Sequence, residues 1–123
     1  MSLIITKIVN GSTPNEEEIW LTANTKMNTK GYAVVDRTFD DKGNISNEFR
    51  HIYVLPSIDL EENQKIIIFI GTGTNCKRKF TNTGKYYYSC YWGSKQCILN
   101  DNGGDTITLI QYSVIDSEQA PAI

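Results

Sequence analysis

The sequence predicts an all-β sandwich, and three observations carry that prediction. Ile, Val, Thr, Tyr, Asn and Gly dominate while strong helix formers are sparse, a balance that favours strands and turns. Short β-branched or aromatic runs recur at close intervals, each bounded by Gly, Pro, Asn or Asp. The chain has 123 residues, 40% of them hydrophobic and 21% charged, which suits one domain around a single core.

Residues 3–9 alternate weakly and stop at Asn10-Gly11, a turn signal. Residues 12–18 read as a loop, with Pro14 and three glutamates; the glutamates can begin a helix, but the residues after them favour a strand. Residues 19–22 have the bulk of a short buried strand, and 23–30 are small and polar, a connection. A strand is expected over 31–39 and a tight turn over 40–44, with Gly43 suited to positive φ. The return strand, 49–55, puts Phe49, His51, Tyr53 and Leu55 on one face and Arg50, Ile52 and Val54 on the other. Pro56 ends it, having no N–H to donate.

Residues 58–60 form an apolar anchor before a turn at 61–63. Residues 65–70 are almost continuously β-branched, as in a strand covered on both faces. A loop is expected over 71–75, and the last strand spans 106–112 with Ile107, Leu109 and Gln111 sharing a face. The domain is expected to occupy residues 1–116, with 117–123 a tail or linker. The longest apolar run, residues 66–70, is far too short to cross a bilayer, so no membrane insertion is expected. No signal-peptide pattern is recognised.

Net charge is −2, but it is unevenly placed. Residues 63–100 hold six Lys or Arg and no acid, whereas the segments on either side are each acidic. Such asymmetry points to an anionic or polar partner on one face, or to a solvated basic hairpin.

The basic residues cluster in an insert around 76–90. Centred on Thr83, the insert reads as a hairpin with a three-residue loop, Asn82-Thr83-Gly84, and Gly84 in the left-handed region. That register sets Phe80 opposite Tyr86, Lys79 opposite Tyr87, Arg78 opposite Tyr88 and Cys76 opposite Cys90. Two readings of the cysteines stand. A Cys76–Cys90 disulfide would tie off the hairpin and leave Cys97 free, adding about 3 kcal/mol for a loop of about 15 residues. Alternatively, all three thiols are reduced. Candidate contact residues are Lys77, Arg78, Lys79, Phe80, Tyr86, Tyr87, Tyr88, Tyr91 and Trp92, which would project from one end of the sandwich. Basic side chains with stacking rings suit nucleic acid; rings alone suit sugars or cell-wall glycans; rings with arginine suit a protein hot spot. The tyrosines can also simply hold the hairpin together.

Catalytic chemistry finds little support. His51 is the only histidine, and it sits mid-strand in a regular alternation. A pairing with Cys97 or a Ser–His–Asp set lacks nucleophile context, and no G-x-S-x-G elbow occurs. Gly71-Thr72-Gly73-Thr74 lacks the Gly-Lys-Ser/Thr ending of a phosphate loop. Asp40-Asp41 with Asn44, and Asp101-Asn102 with Asp105, could offer oxygens to calcium, but turn chemistry explains both. The thiols lack paired zinc spacing. No metal, no cofactor and no enzymatic activity are therefore expected. Asn10-Gly11-Ser12 and Asn44-Ile45-Ser46 match the glycosylation triplet, a pattern common by chance.

Several stretches resemble the lamin-tail domain family, particularly its bacterial members. Gly31-Tyr32-Ala33-Val34-Val35-Asp36 looks like the G-W-x-L-x-D strand, and Tyr53-Val54-Leu55-Pro56 with Ile58-Asp59-Leu60 is similar to the F-x-F-P segment. Ile70-Gly71-Thr72-Gly73-Thr74-Asn75 resembles T-G-S-G-T-N, and Tyr91-Trp92-Gly93-Ser94 resembles Y-W-G-S. Residues 99–109 look like W-N-N-x-G-D-T-A-T-L, and 19–24 match Y-V-x-L-x-N more loosely. The matches run in family order over most of the chain. Departures are Tyr32 in place of Trp, a short 24–31 connection, Glu62-Asn63-Gln64 in place of Pro-Gly, and the enlarged insert.

The resemblance implies an immunoglobulin-like β-sandwich with no catalytic residues, to which the insert around 76–90 adds an extra hairpin. It implies a binding or scaffold module, part of or beside a larger protein; with the rings and cations of the insert, the expected partner is protein or cell-wall glycan, with nucleic acid a further option. Bacterial members accompany secreted or envelope proteins, often beside hydrolases. Hence the alternative role, substrate targeting in such a hydrolase system, and the expectation of an extracellular or envelope location.

Overall fold

A computed structural model describes residues 2–39, 45–99 and 106–123, with 37–39 and 45–50 described by their backbone alone. The order is β1 (Leu3–Val9), a 3₁₀ turn (Pro14–Glu16), β2 (Glu18–Ala23), β3 (Met27–Asn28), β4 (Tyr32–Phe39) and β5 (Ile45–Val54). Then come β6 (Asp59–Leu60), β7 (Lys65–Phe69), β8 (Cys76–Lys79), β9 (Tyr86–Tyr91) and β10 (Thr106–Gln111). The described residues contain no α-helix, as the scarcity of helix formers predicts. The strand expectations hold to within a few residues, but β3, pairing with β6, lies inside a stretch read as plain connection. The expected turn at 40–44 and both acidic calcium candidates lie wholly or largely outside the described residues.

Five strands form one sheet in the order β1-β2-β7-β9-β8, and three form another in the order β10-β4-β5. The sheets pack together in a sandwich-like arrangement. Leu3, Ile19, Leu21, Ile66, Ile68 and Cys90 from the first meet Val34 and Ile107 from the second, with Leu55, Leu60 and Ile70 filling between. Each such side chain contributes about 1.5–3 kcal/mol by leaving water. β5 shows the expected faces: Tyr53 packs on the core while Ile52 and Val54 are exposed. β7 is covered on both sides, with Ile66, Ile67 and Ile68 all buried. Residues 112–123, beyond β10, are exposed and carry no regular structure.

Glu17 occupies an unexpected place. It lies fully buried between the 3₁₀ turn and β2, and its carboxylate accepts the backbone N–H groups of Ile98 (2.8 Å) and Leu99 (3.1 Å). One side chain thus stands in for a strand partner and fastens the segment after β9 to the sheet.

β7 and β9 run parallel, and β8 lies outside β9 as the edge strand of the sheet. The expected hairpin is present, but its register is shifted by one residue. Phe80 N–H donates to Lys85 O (2.8 Å) and Gly84 N–H to Phe80 O (2.9 Å), so the loop has four residues, 81–84. Gly84 is left-handed as expected (φ 73°). The longer loop sets Cys76 opposite Ser89, Lys77 opposite Tyr88, Arg78 opposite Tyr87 and Lys79 opposite Tyr86.

This corrects the disulfide expectation. A one-residue shift places Cys76 and Cys90 on opposite faces of the hairpin. Cys76 is exposed, Cys90 is buried in the core, and none of the three cysteines is in a disulfide.

Candidate functional site

Strand register determines which candidate residues come together. On the outer face of the five-stranded sheet, one row runs Lys7–Trp20–Ile67–Ser89–Cys76. The next row on that face runs Thr22–Lys65–Tyr87–Arg78. Rings stand over these rows. Phe80 stacks on Tyr87 (4.3 Å between centroids) and on Trp20 (6.0 Å), so it lies back across β7. Ile67 beneath is only 3% exposed despite facing outward. Lys7 Nζ covers the Trp20 ring at 4.9 Å and completes a cation–ring–ring–ring stack. The Trp20 indole N–H donates to Glu18 (2.8 Å).

Farther along the same face, Phe69 stacks on Tyr91 at 5.2 Å. The Tyr91 ring lies against Gly73, where an added Cβ would come within 2.4 Å of it. Arg78 donates from Nε to Ser89 Oγ (2.9 Å). Its guanidinium pKa is raised by the neighbouring Cys76 thiol and then by Tyr91.

The opposite face of the hairpin holds a second cluster. Lys77 Nζ sits 4.9 Å from the Tyr86 ring and 5.6 Å from Tyr88; Lys79 Nζ is 5.9 Å from Tyr86. Beyond them this face enters the core. Tyr88 packs on it, and Trp92 packs on it against Tyr53 (5.5 Å). Burial pushes the Cys90 thiol up, a rise its hydrogen bond with Tyr53 partly opposes. Burial, with Cys90 beside it, likewise raises the Tyr53 hydroxyl well above the usual phenol range.

The nine candidates therefore form two groups and an outlier. Arg78, Phe80, Tyr87 and Tyr91 share the outer face; Lys77, Lys79, Tyr86 and Tyr88 share the inner one; Trp92 is a core-packing ring. Lys7, Trp20, Lys65 and Phe69 belong with the outer group, and sequence reasoning missed them. Their signal is the phase of alternation: Trp20 falls between buried Ile19 and Leu21, hence outward, yet only register joins strands so distant in sequence. Among the described residues none of Lys77, Arg78 or Lys79 pairs with a carboxylate.

Other places carry less chemistry. His51 Nδ1 lies 2.8 Å from Asp36 Oδ2, a cross-strand pair between β5 and β4 with the carboxylate buried. A groove of about 540 Å³ runs between edge strands β1 and β10, lined by Leu3, Ile5, Tyr32, Ile107 and Leu109 among others. Among the described residues no group of three or more His, Cys, Asp or Glu could hold a metal ion. No helix among them is long and apolar enough to cross a membrane.

No family model, curated protein or solved structure matches the chain.

Proposed function

We propose that this chain is a non-catalytic interaction module of the lamin-tail type, an immunoglobulin-like sandwich that makes its contacts through the β8–β9 hairpin. One observation carries the reading: three adjacent cations on β8, unpaired with any carboxylate among the described residues, sit beside the exposed Tyr86 ring and the half-buried rings of Phe80, Tyr87 and Tyr88, in a segment, 63–100, that contains no acid. Uncompensated charge of one sign raises the local concentration of an oppositely charged partner. The sequence resemblance adds that such domains serve as parts of, or companions to, larger proteins. Substrate targeting beside a secreted or envelope hydrolase is the second form of the same role, and the hairpin would be its contact surface too.

The test is a binding panel with the isolated chain, using an anionic glycan, a single-stranded oligonucleotide and an acidic peptide at low and high salt. At least one should bind, with affinity falling steeply as salt rises. Turnover of any probe above background, or silence from the whole panel at low salt, would remove the proposal.

A further inference from the structure

The hairpin offers anionic partners two things, rings and an edge, and the rings are already engaged. Trp20, Phe80 and Tyr87 stack on one another with Lys7 closing one end. Lys77 and Lys79 cover Tyr86, and Lys77 also lies near Tyr88. A base or sugar that stacked there would first have to displace these contacts.

The edge is open. β8 ends the order β1-β2-β7-β9-β8, so among the described residues its outward N–H and C=O groups have no strand partner. All four of its residues are exposed. Its cations alternate across the strand: Lys77 and Lys79 on the inner face, Arg78 on the outer. An incoming strand would meet a cation on each side at successive positions. A second copy of β8 would bring like charges together, so the edge selects against itself.

We propose that β8 is a strand-acceptor edge. It takes an extended acidic peptide, which pairs with the backbone of Cys76–Lys79 and sets its carboxylates against Lys77, Arg78 and Lys79. Backbone pairing supplies attachment and the charges supply choice of partner. The inference rests on reading the chain as an interaction module and names the partner of that same hairpin.

The probe is a short peptide with three consecutive glutamates flanked by valine and threonine. Its controls are a glutamine counterpart and the same acidic peptide N-methylated at alternate residues, which keeps the charge and removes the donors. With the isotopically labelled chain, the acidic peptide should shift the amides of residues 76–79 and slow their hydrogen exchange. Both controls should bind at least about tenfold more weakly, as should a Lys77→Gln/Lys79→Gln variant whose fold is checked by circular dichroism.

Equal binding of the N-methylated peptide would overturn strand addition while leaving an interaction module in place. Binding of the oligonucleotide or of polygalacturonate, with none of the peptide, would do the same. Absence of binding by every probe would remove the inference and the module reading together.

Discussion

Glu17 shows how much one buried side chain can hold. Its carboxylate is the acceptor for Ile98 and Leu99 N–H, and deleting it leaves two buried donors without that partner. Glu17→Ala should cost about 3 kcal/mol in denaturant unfolding; a loss below about 1 kcal/mol would mean that water or backbone replaces the carboxylate. Cys90 supplies a pH-dependent counterpart. Its folded pKa is raised above the ordinary 9.0, chiefly by burial. The unfolded thiol therefore ionises first, so this contribution to stability is complete below about pH 9 and lost as pH rises towards the folded value. Tyr53, raised in the same direction from 10.0, extends the decline. The thermal midpoint should fall from about pH 9 upward, less steeply in Cys90→Ala. An unchanged midpoint through about pH 10.5 would contradict the burial of both groups.

At the scale of the element, the hairpin turns on loop length. Phe80 N–H bonded to Lys85 O marks 80 and 85 as a hydrogen-bonded pair, so 79 and 86 face each other at a closer, non-hydrogen-bonded site. In a background with Cys76 and Cys97 replaced by Ser, Lys79→Cys/Tyr86→Cys should oxidise readily to a disulfide. Lys79→Cys/Tyr87→Cys, the pairing of a three-residue loop, should remain reduced. The reverse outcome would restore the register that the sequence suggests.

That register error also defines what was legible in the sequence. Alternation sets Tyr53 and Ile52 on opposite faces, and the β-branched run of β7 announces its cover on both faces, because both features arise from backbone periodicity. Gly84 was recognisable as left-handed because few other residues tolerate that conformation. Three- and four-residue loops ending in Gly84 read alike, however, and the difference of one residue decides which side of the hairpin each cysteine takes. Glu17 was hidden for another reason: in a run of three glutamates, only the tertiary structure decides which one is buried. The outer-face cluster joins Lys7, Trp20, Phe69 and Phe80 through strand order, which local pattern does not encode.

For the whole molecule, the proposed role is contact without catalysis, made through a basic, ring-supported edge of the sandwich-like fold. Charge is divided accordingly: the framework segments are acidic and the hairpin segment basic, so partner binding should weaken with salt while the fold itself is little affected. The groove between β1 and β10 is the competing surface, apolar and distant in strand order from β8. The two are separated most directly by amide chemical-shift mapping of the labelled chain with the acidic peptide, at low and then high salt. Shifts are expected at residues 76–79 and their β9 partners, reversed by salt. Shifts centred on residues 2–5 and 107–111, or unchanged by salt, would contradict the proposed role.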